Sequence, residues 1–494
     1  MGAPLALLLC SIGVAWLFYI NRDESVRNSK ALWLPVIWLW IVGSRPVSAW
    51  FGLGGPSAGG LASTLDGSPW DAAVFGILIL VGIAVLFNRS KRTSAFLAVS
   101  GPIIIYFLYC LLSVGWSPIH GPAFKRWTKA IGDLVMVLLI VTDPQPRVAL
   151  QRLYSRVGFI LLPFSIVLIR YTDLGRGFDP DGNPMNTGVT TNKNTLGLIA
   201  FVVSLGALWT LRGLLINKEA AHRRRRLVAQ WIFLGFGVVI LEMAHSATSI
   251  ACFALGSGLM LATTLRAIRD RPGRVHALSL GIILAGGLMF FFGGDSALSS
   301  ALGRGSGLSG RSAIWTASLA AAGNPIIGTG FESFWNVNVD KVARLLPGYW
   351  EIHNLVSAHN GYIQIYLDLG WIGVFLIAMI LISGYRRAGR AFQRDPELAS
   401  LMLAYVTTAT SYSITEAGFR TLTAAWFFLL LAVVTAGGVA AGLFGGEPRD
   451  VLGSRGGTAV SKPSSNRITP GKATVYAARR GLARFEAAPE FNLR

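Results

Sequence analysis

G-R-S-A-I-W at 310–315, N-P-I-I-G-T-G-F-E-S-F-W at 324–335 and A-H-N-G-Y-I-Q-I-Y-L-D-L-G-W-I-G at 358–373 make up one polar, glycine-rich and aromatic stretch in an otherwise apolar chain. His359 stands where the next apolar run begins. Ionisable side chains at a membrane boundary are costly to place, so Arg311 and His359 need a chemical reason.

Outward from that stretch, the chain does not have a soluble composition: of 494 residues, 53% are hydrophobic and only 14% charged. Thirteen apolar runs recur, at 4–20, 31–43, 71–87, 94–114, 127–142, 156–170, 194–215, 227–242, 246–265, 275–293, 360–384, 398–416 and 421–443. Lipid leaves open backbone groups unsatisfied, which favours helices. The runs lack the period-2 pattern of barrel strands. The fold class expected is an all-α polytopic membrane protein with about 12–13 transmembrane helices and a large outer, periplasmic loop at 294–359. The first run has no basic n-region and no clear cleavage site, so it reads as a retained span. Cys10, Cys110 and Cys252 lie inside apolar runs and read as small core residues.

The net charge of +20 sits mostly in loops that alternate along the chain. N-R-S-K-R at 88–92, the segment 147–156, H-R-R-R-R at 222–226, R-A-I-R-D-R-P-G-R at 266–274 and the segment 385–394 fall on one side, which the positive-inside rule makes cytoplasmic. Segments 44–70, 115–126, 171–193, 294–359 and 417–420 then face outward, and thirteen spans place the N-terminus outside. Residues 1–443 read as the membrane domain and 444–494 as a basic, disordered tail. Within the tail, 474–485 fits either a basic interfacial helix or plain solvated chain.

The informative charges break this alternation. Arg45, Lys125, Arg126, Arg170, Lys193, Arg304, Arg311, Lys341, Arg344 and Arg420 lie outside or at the outer boundary. The 294–359 loop is balanced, with four basic and four acidic residues, so internal pairing is the plain account, above all for Lys341 and Arg344 beside Asp340. Arg311 follows Gly310 within a stretch, 296–314, that has no acid. Its planar fork suits phosphate oxygens. His359 is either a satisfied boundary residue or a proton acceptor poised near neutral pH. His353, His120 and His245 are further outer-side histidines. Gly328–Phe331 with Phe334 and Trp335 suits sugar stacking or an ordinary interfacial belt. Lys193 is a snorkelling helix end or a second phosphate contact. No metal cluster and no Walker A sequence occurs, and Asp179-Pro180-Asp181 matches D-x-D only in letters.

Five segments together resemble the O-antigen ligase and polysaccharide polymerase (Wzy-like) superfamily, closest to exopolysaccharide polymerases of the ExoQ type. They are G-S-R-P-V-S-A-W at 43–50, N-K-N-T-L-G at 192–197, and the 310–315, 324–335 and 359–362 motifs. Each is short; their order around a large outer loop carries the specificity. The resemblance implies a GT-C-like membrane glycosyltransferase of the bacterial inner membrane, inverting and free of metal or nucleotide cofactors. It would move a glycan from undecaprenyl diphosphate to an acceptor hydroxyl. Arg311 would hold the diphosphate and His359 would activate the acceptor. Lys193, Arg170, Arg126, His245, Asn360, Tyr362 and Trp335 are the further substrate-side candidates. The chain departs from the family at A-H-S-A-T-S-I, 244–250, with Ala247 where a base is expected.

Two enzymatic readings follow. One is a repeat-unit polymerase, working with a flippase and a chain-length regulator. The other is a ligase passing finished polymer to lipid A-core or protein. A non-enzymatic flippase would carry buried charges and broken helices at mid-span; here the charges gather at the outer surface.

Overall fold

A computed structural model of the chain describes residues 2–23, 26, 28–53, 67–178, 182–269, 271–292, 309–346 and 356–444. Arg304, His353, Asp179-Pro180-Asp181 and the tail with its 474–485 segment lie outside these.

Each of the thirteen apolar runs forms helix. The helices are Ala3–Ile20, Trp33–Val42, Pro69–Asn88, Gly101–Ser113, His120–Val141, Pro146–Tyr171, Lys193–Ile216, Arg223–Ala244, Ala247–Ala262, Pro272–Phe292, Gly361–Ala391, Pro396–Thr415 and Ala424–Ala441. A small antiparallel hairpin pairs Arg176–Phe178 with Pro184–Asn186. The protein is an all-α, multi-pass membrane protein. By length and composition, seven described helices cross a membrane, or eight with one bent pair, fewer than the 12–13 expected. Four of the others depart for identifiable reasons. Trp33–Val42 has 10 residues. His120–Val141 carries Lys125, Arg126, Lys129 and Asp133, and Pro396–Thr415 is rich in Ser, Thr and Tyr. The run at 94–114 is not one straight span: Ser90–Ala98 turns by 89° from the helix that follows.

Ala424–Ala441 is apolar on every face and sits innermost, with 89% of its window buried against 22% for Ala3–Ile20. It packs with Gly361–Ala391 and Pro396–Thr415. Tyr154, Tyr405 and Phe428 pack ring against ring within the same core. Side-chain bonds sort the loops to two ends. At one end Asn28 reaches Asp143 (3.1 Å), Arg226 pairs with Asp23 (2.6 Å) and Arg147 with Asp395 (3.0 Å). At the other, Arg45 reaches the Thr190 carbonyl (3.1 Å), Asn186 the Met243 carbonyl (2.9 Å) and Arg420 pairs with Glu332 (3.2 Å). This sorting matches the alternation of charge, and the basic end is expected to be cytoplasmic. In intact cells, on a background lacking Cys10, Cys110 and Cys252, a cysteine at 340 should react with an impermeant maleimide and one at 390 should not. The opposite labelling would reverse the orientation.

Gly361–Ala391 was expected as an unbroken span over 360–384. It breaks at Gly370, whose φ is 65° and ψ −165°. The N-P-I-I-G-T-G segment satisfies the interrupted backbone. Thr329 N–H donates to Leu367 (3.1 Å), Gly330 to Asp368 (2.8 Å), and Trp371 N–H donates back to Pro325 (2.9 Å). A Cβ on Gly370 would sit 2.2 Å from the Ile326 carbonyl oxygen, and one on Gly328 2.4 Å from the Asp368 carbonyl carbon. Both glycines are therefore required by close approach as well as by positive φ. Irregular backbone at this depth is tolerated because protein, not lipid, surrounds it.

The 294–359 segment holds the helices Ser309–Ala321 and Phe334–Arg344. The second is anchored because Phe334, Trp335, Val342 and Leu346 share a buried cluster with Ala317, Ala358 and Leu367.

Candidate active site

Three polypeptide ends meet at Glu416. The first is the opening turn of Ser309–Ala321. Arg311 donates through Nη1 to the Thr415 carbonyl (2.7 Å) and through Nη2 to Glu416 Oε1 (2.9 Å). One helical turn on, Trp315 donates its indole N–H to the Ala358 carbonyl (2.7 Å). The i, i+4 spacing in G-R-S-A-I-W thus serves two contacts on one helix face.

The second is the start of Gly361–Ala391. Asn360 is its N-cap: Oδ1 accepts the Tyr362 and Ile363 N–H groups (both 3.0 Å), while Nδ2 donates to the Ile414 carbonyl (2.9 Å). His359, just before the cap, has a φ of 48°. Such a left-handed residue costs of order 1–3 kcal/mol and persists only where its surroundings over-determine it. Here Ser357 Oγ accepts its N–H (3.0 Å), and Ala358 is held on both sides by Trp315 and Gln364. His359 Nδ1 lies 3.4 Å from Glu416 Oε2.

The third is the start of Lys193–Ile216, where Asn194 Nδ2 donates to Glu416 Oε1 (2.9 Å). The Glu416 side chain is only 9% exposed, Arg311 23% and His359 41%. One buried carboxylate therefore holds an arginine and a histidine that remain open to a ligand. Sequence reading singled out Arg311 and His359 but missed Glu416. Its signal was present: an acid closing the apolar run 398–416, where charge is expensive. Arg311 has no acid near it in sequence because its partner comes from another helix.

The remaining candidates divide. Lys193 adjoins Asn194 at the same helix start. His245 closes Arg223–Ala244 with a φ of 47°, exposed, and the turn after it brings Thr248 Oγ1 to 3.0 Å from Thr415 Oγ1. Arg170 is exposed at the end of Pro146–Tyr171, at the opposite end of the 171–193 segment from Lys193. Tyr362 braces the site: its hydroxyl donates to the Thr410 carbonyl (3.1 Å) and its ring meets Phe419 edge-on.

Two candidates are corrected. Trp335 is 2% exposed, its indole bonded to Gln364 Oε1 (2.8 Å), so it presents no ring face to a sugar and serves the loop core. Arg126 is 4% exposed and donates to the Glu332 carbonyl and to Asn336 Oδ1 (2.8 Å), so it holds the loop. Other outer basic residues are likewise committed to structure. Lys341 bonds the Ala321 carbonyl (3.2 Å), and Arg344 bonds the Asp340 backbone carbonyl (3.2 Å) rather than its carboxylate. Arg45 ties Thr190 to Leu174, and burial there lowers its guanidinium pKa.

Comparison with known proteins bears on this geometry. Residues 231–378 match the Wzy_C family model, described as O-Antigen ligase. That segment is similar to the O-antigen ligase and Wzy-like family. The chain is 25% identical over 315 residues, 60% of this chain and 67% of the relative, to the "Exopolysaccharide production protein ExoQ" of Rhizobium meliloti (strain 1021). The matched family segment takes in Arg311 and His359 and ends before Glu416.

Proposed function

We propose that this O-antigen ligase/polymerase-type membrane enzyme is an inverting, metal-independent glycosyltransferase. It polymerises undecaprenyl diphosphate-linked repeat units into exopolysaccharide or O-antigen on the outer face of the bacterial cytoplasmic membrane. The observation that carries this reading is the convergence of Arg311 and His359 on Glu416.

The chemistry needs few parts. An acceptor hydroxyl oxygen attacks the anomeric carbon, the bond from that carbon to the diphosphate oxygen breaks, and the diphosphate leaves with the electron pair. His359 takes the hydroxyl proton on Nε2, while Glu416 at Nδ1 orients the ring and stabilises the imidazolium. The 3.4 Å spacing is of the looser kind common before substrate is bound. Arg311 turns its guanidinium to the diphosphate and offsets the charge that develops there. Lys193 at the adjoining helix start supplies a second positive charge. The diphosphate is an activated leaving group, so no nucleotide is consumed.

The ExoQ likeness favours polymerisation, with a flippase and a chain-length regulator as pathway partners. The wording of the matched family favours the second reading, a ligase. Purified protein given lipid-linked repeat units alone, in EDTA, should make polymer with an inverted linkage. Product only after lipid A-core or an acceptor protein is added would select the ligase. Activity lost in EDTA and restored by a divalent ion would overturn the metal-free mechanism.

A further inference from the structure

Arg420 was an outer basic residue without a role. It lies on the turn after Glu416, where Gly418 N–H donates to the Glu416 carbonyl (2.8 Å). Its Nε and Nη2 both donate to Glu332 Oε2 (3.3 and 3.2 Å), and Nη1 donates to the Val356 carbonyl (2.9 Å). Val356 begins the short segment that ends in His359. One guanidinium thus joins the turn carrying Glu416 to the strand of chain carrying His359, with the outer loop as its anchor.

Glu332 is built for this. It has a φ of 50°, the left-handed region again, and is pinned by every side. Its carboxylate also accepts the Thr421 N–H (3.0 Å), its carbonyl accepts from buried Arg126, and the next residue, Ser333, meets Ser117 Oγ (2.8 Å). Two residues with positive φ, Glu332 and His359, are therefore coupled through one arginine. Backbone held so far from its preferred basin points to geometry under functional constraint.

We propose that Glu332 and Arg420 are a positioning pair that sets the distance between His359 and Glu416. Neither touches substrate; Arg420 acts through Val356 and through its own turn. The inference rests on the catalytic reading of His359. Displacing a reacting group by about 1 Å can cost on the order of a hundredfold in rate, so the pair should govern turnover and leave donor affinity alone.

The test uses full-length protein in membranes or nanodiscs. Donor-binding stoichiometry counts folded sites, and turnover is expressed per site. Arg420→Gln and, separately, Glu332→Gln should lower turnover per site by roughly ten- to a hundredfold, with donor Kd within about twofold of the parent. The double substitution should cost no more than the worse single one, as expected for one unit. Arg420→Lys should recover only part, because an ammonium lacks the planar fork that reaches Glu332 and Val356 together. Unchanged turnover per site with fewer folded sites would make the pair purely structural and overturn the proposal. So would donor affinity falling in step with turnover, or additive losses in the double variant. His359→Ala, run in parallel, separates the two ideas. If it stays active the catalytic reading fails; if it is dead while Arg420→Gln is normal, only the positioning proposal fails.

Discussion

Replacing His359 with alanine is expected to lower glycan transfer by roughly a hundredfold to ten-thousandfold, the usual worth of a positioned general base, with donor binding near normal. The side chain is 41% exposed, against 23% for Arg311 and 9% for Glu416, so truncation empties space at the site without opening the core. The neighbouring frame remains, because Asn360, Trp315 and Ser357 hold the backbone through their own bonds. Alanine is less at ease than histidine at a φ of 48°, so folded protein must be counted in the same samples. Donor binding and polymer formation measured separately decide the matter. Near-normal polymer from His359→Ala would reject the catalytic role and leave a boundary histidine held by Glu416.

Arg311→Ala should damage the other half of the reaction. Loss of a group that stabilises the departing charge costs roughly a hundredfold to a thousandfold in turnover, and here donor affinity should fall as well. It also leaves Glu416, 9% exposed, without its guanidinium. An unpaired buried charge is costly, so some of the loss will be structural. Arg311→Lys distinguishes the two contributions. A lysine keeps the charge beside Glu416 but loses the fork that reaches Thr415 and Glu416 together and that suits phosphate oxygens. Folded, stable Arg311→Lys protein with weak donor binding would support phosphate recognition. Full donor affinity in that variant would reduce Arg311 to a strut for Glu416.

These two variants rest on residues that were legible from sequence, His359 at the start of an apolar run and Arg311 in a stretch without acids. Glu416 was equally exceptional and was passed over, because it closes a run rather than opening a motif. Trp335 and Arg126 were misjudged for the converse reason. Interfacial aromatics and outer arginines look alike in sequence whether they face a sugar, a phosphate or the inside of a loop. The helix break at Gly370 was hidden because a hydropathy run carries no record of backbone direction. The segment that repairs the break, 324–330, lies about forty residues upstream.

Sequence alone determined that this chain is a bundle of membrane helices with its basic loops at one end and a polar, aromatic loop at the other. Those properties follow from local hydropathy and charge, which lipid and water read residue by residue. Tertiary structure alone decided which ionisable groups share a site. Arg311 and Glu416 are 105 residues apart and His359 and Glu416 are 57 apart. Nothing local links them; the packing of three helix ends brings them within reach of one carboxylate. The same packing commits Arg126, Arg420 and Glu332 to the frame, and leaves Arg311 and His359 on that carboxylate partly exposed.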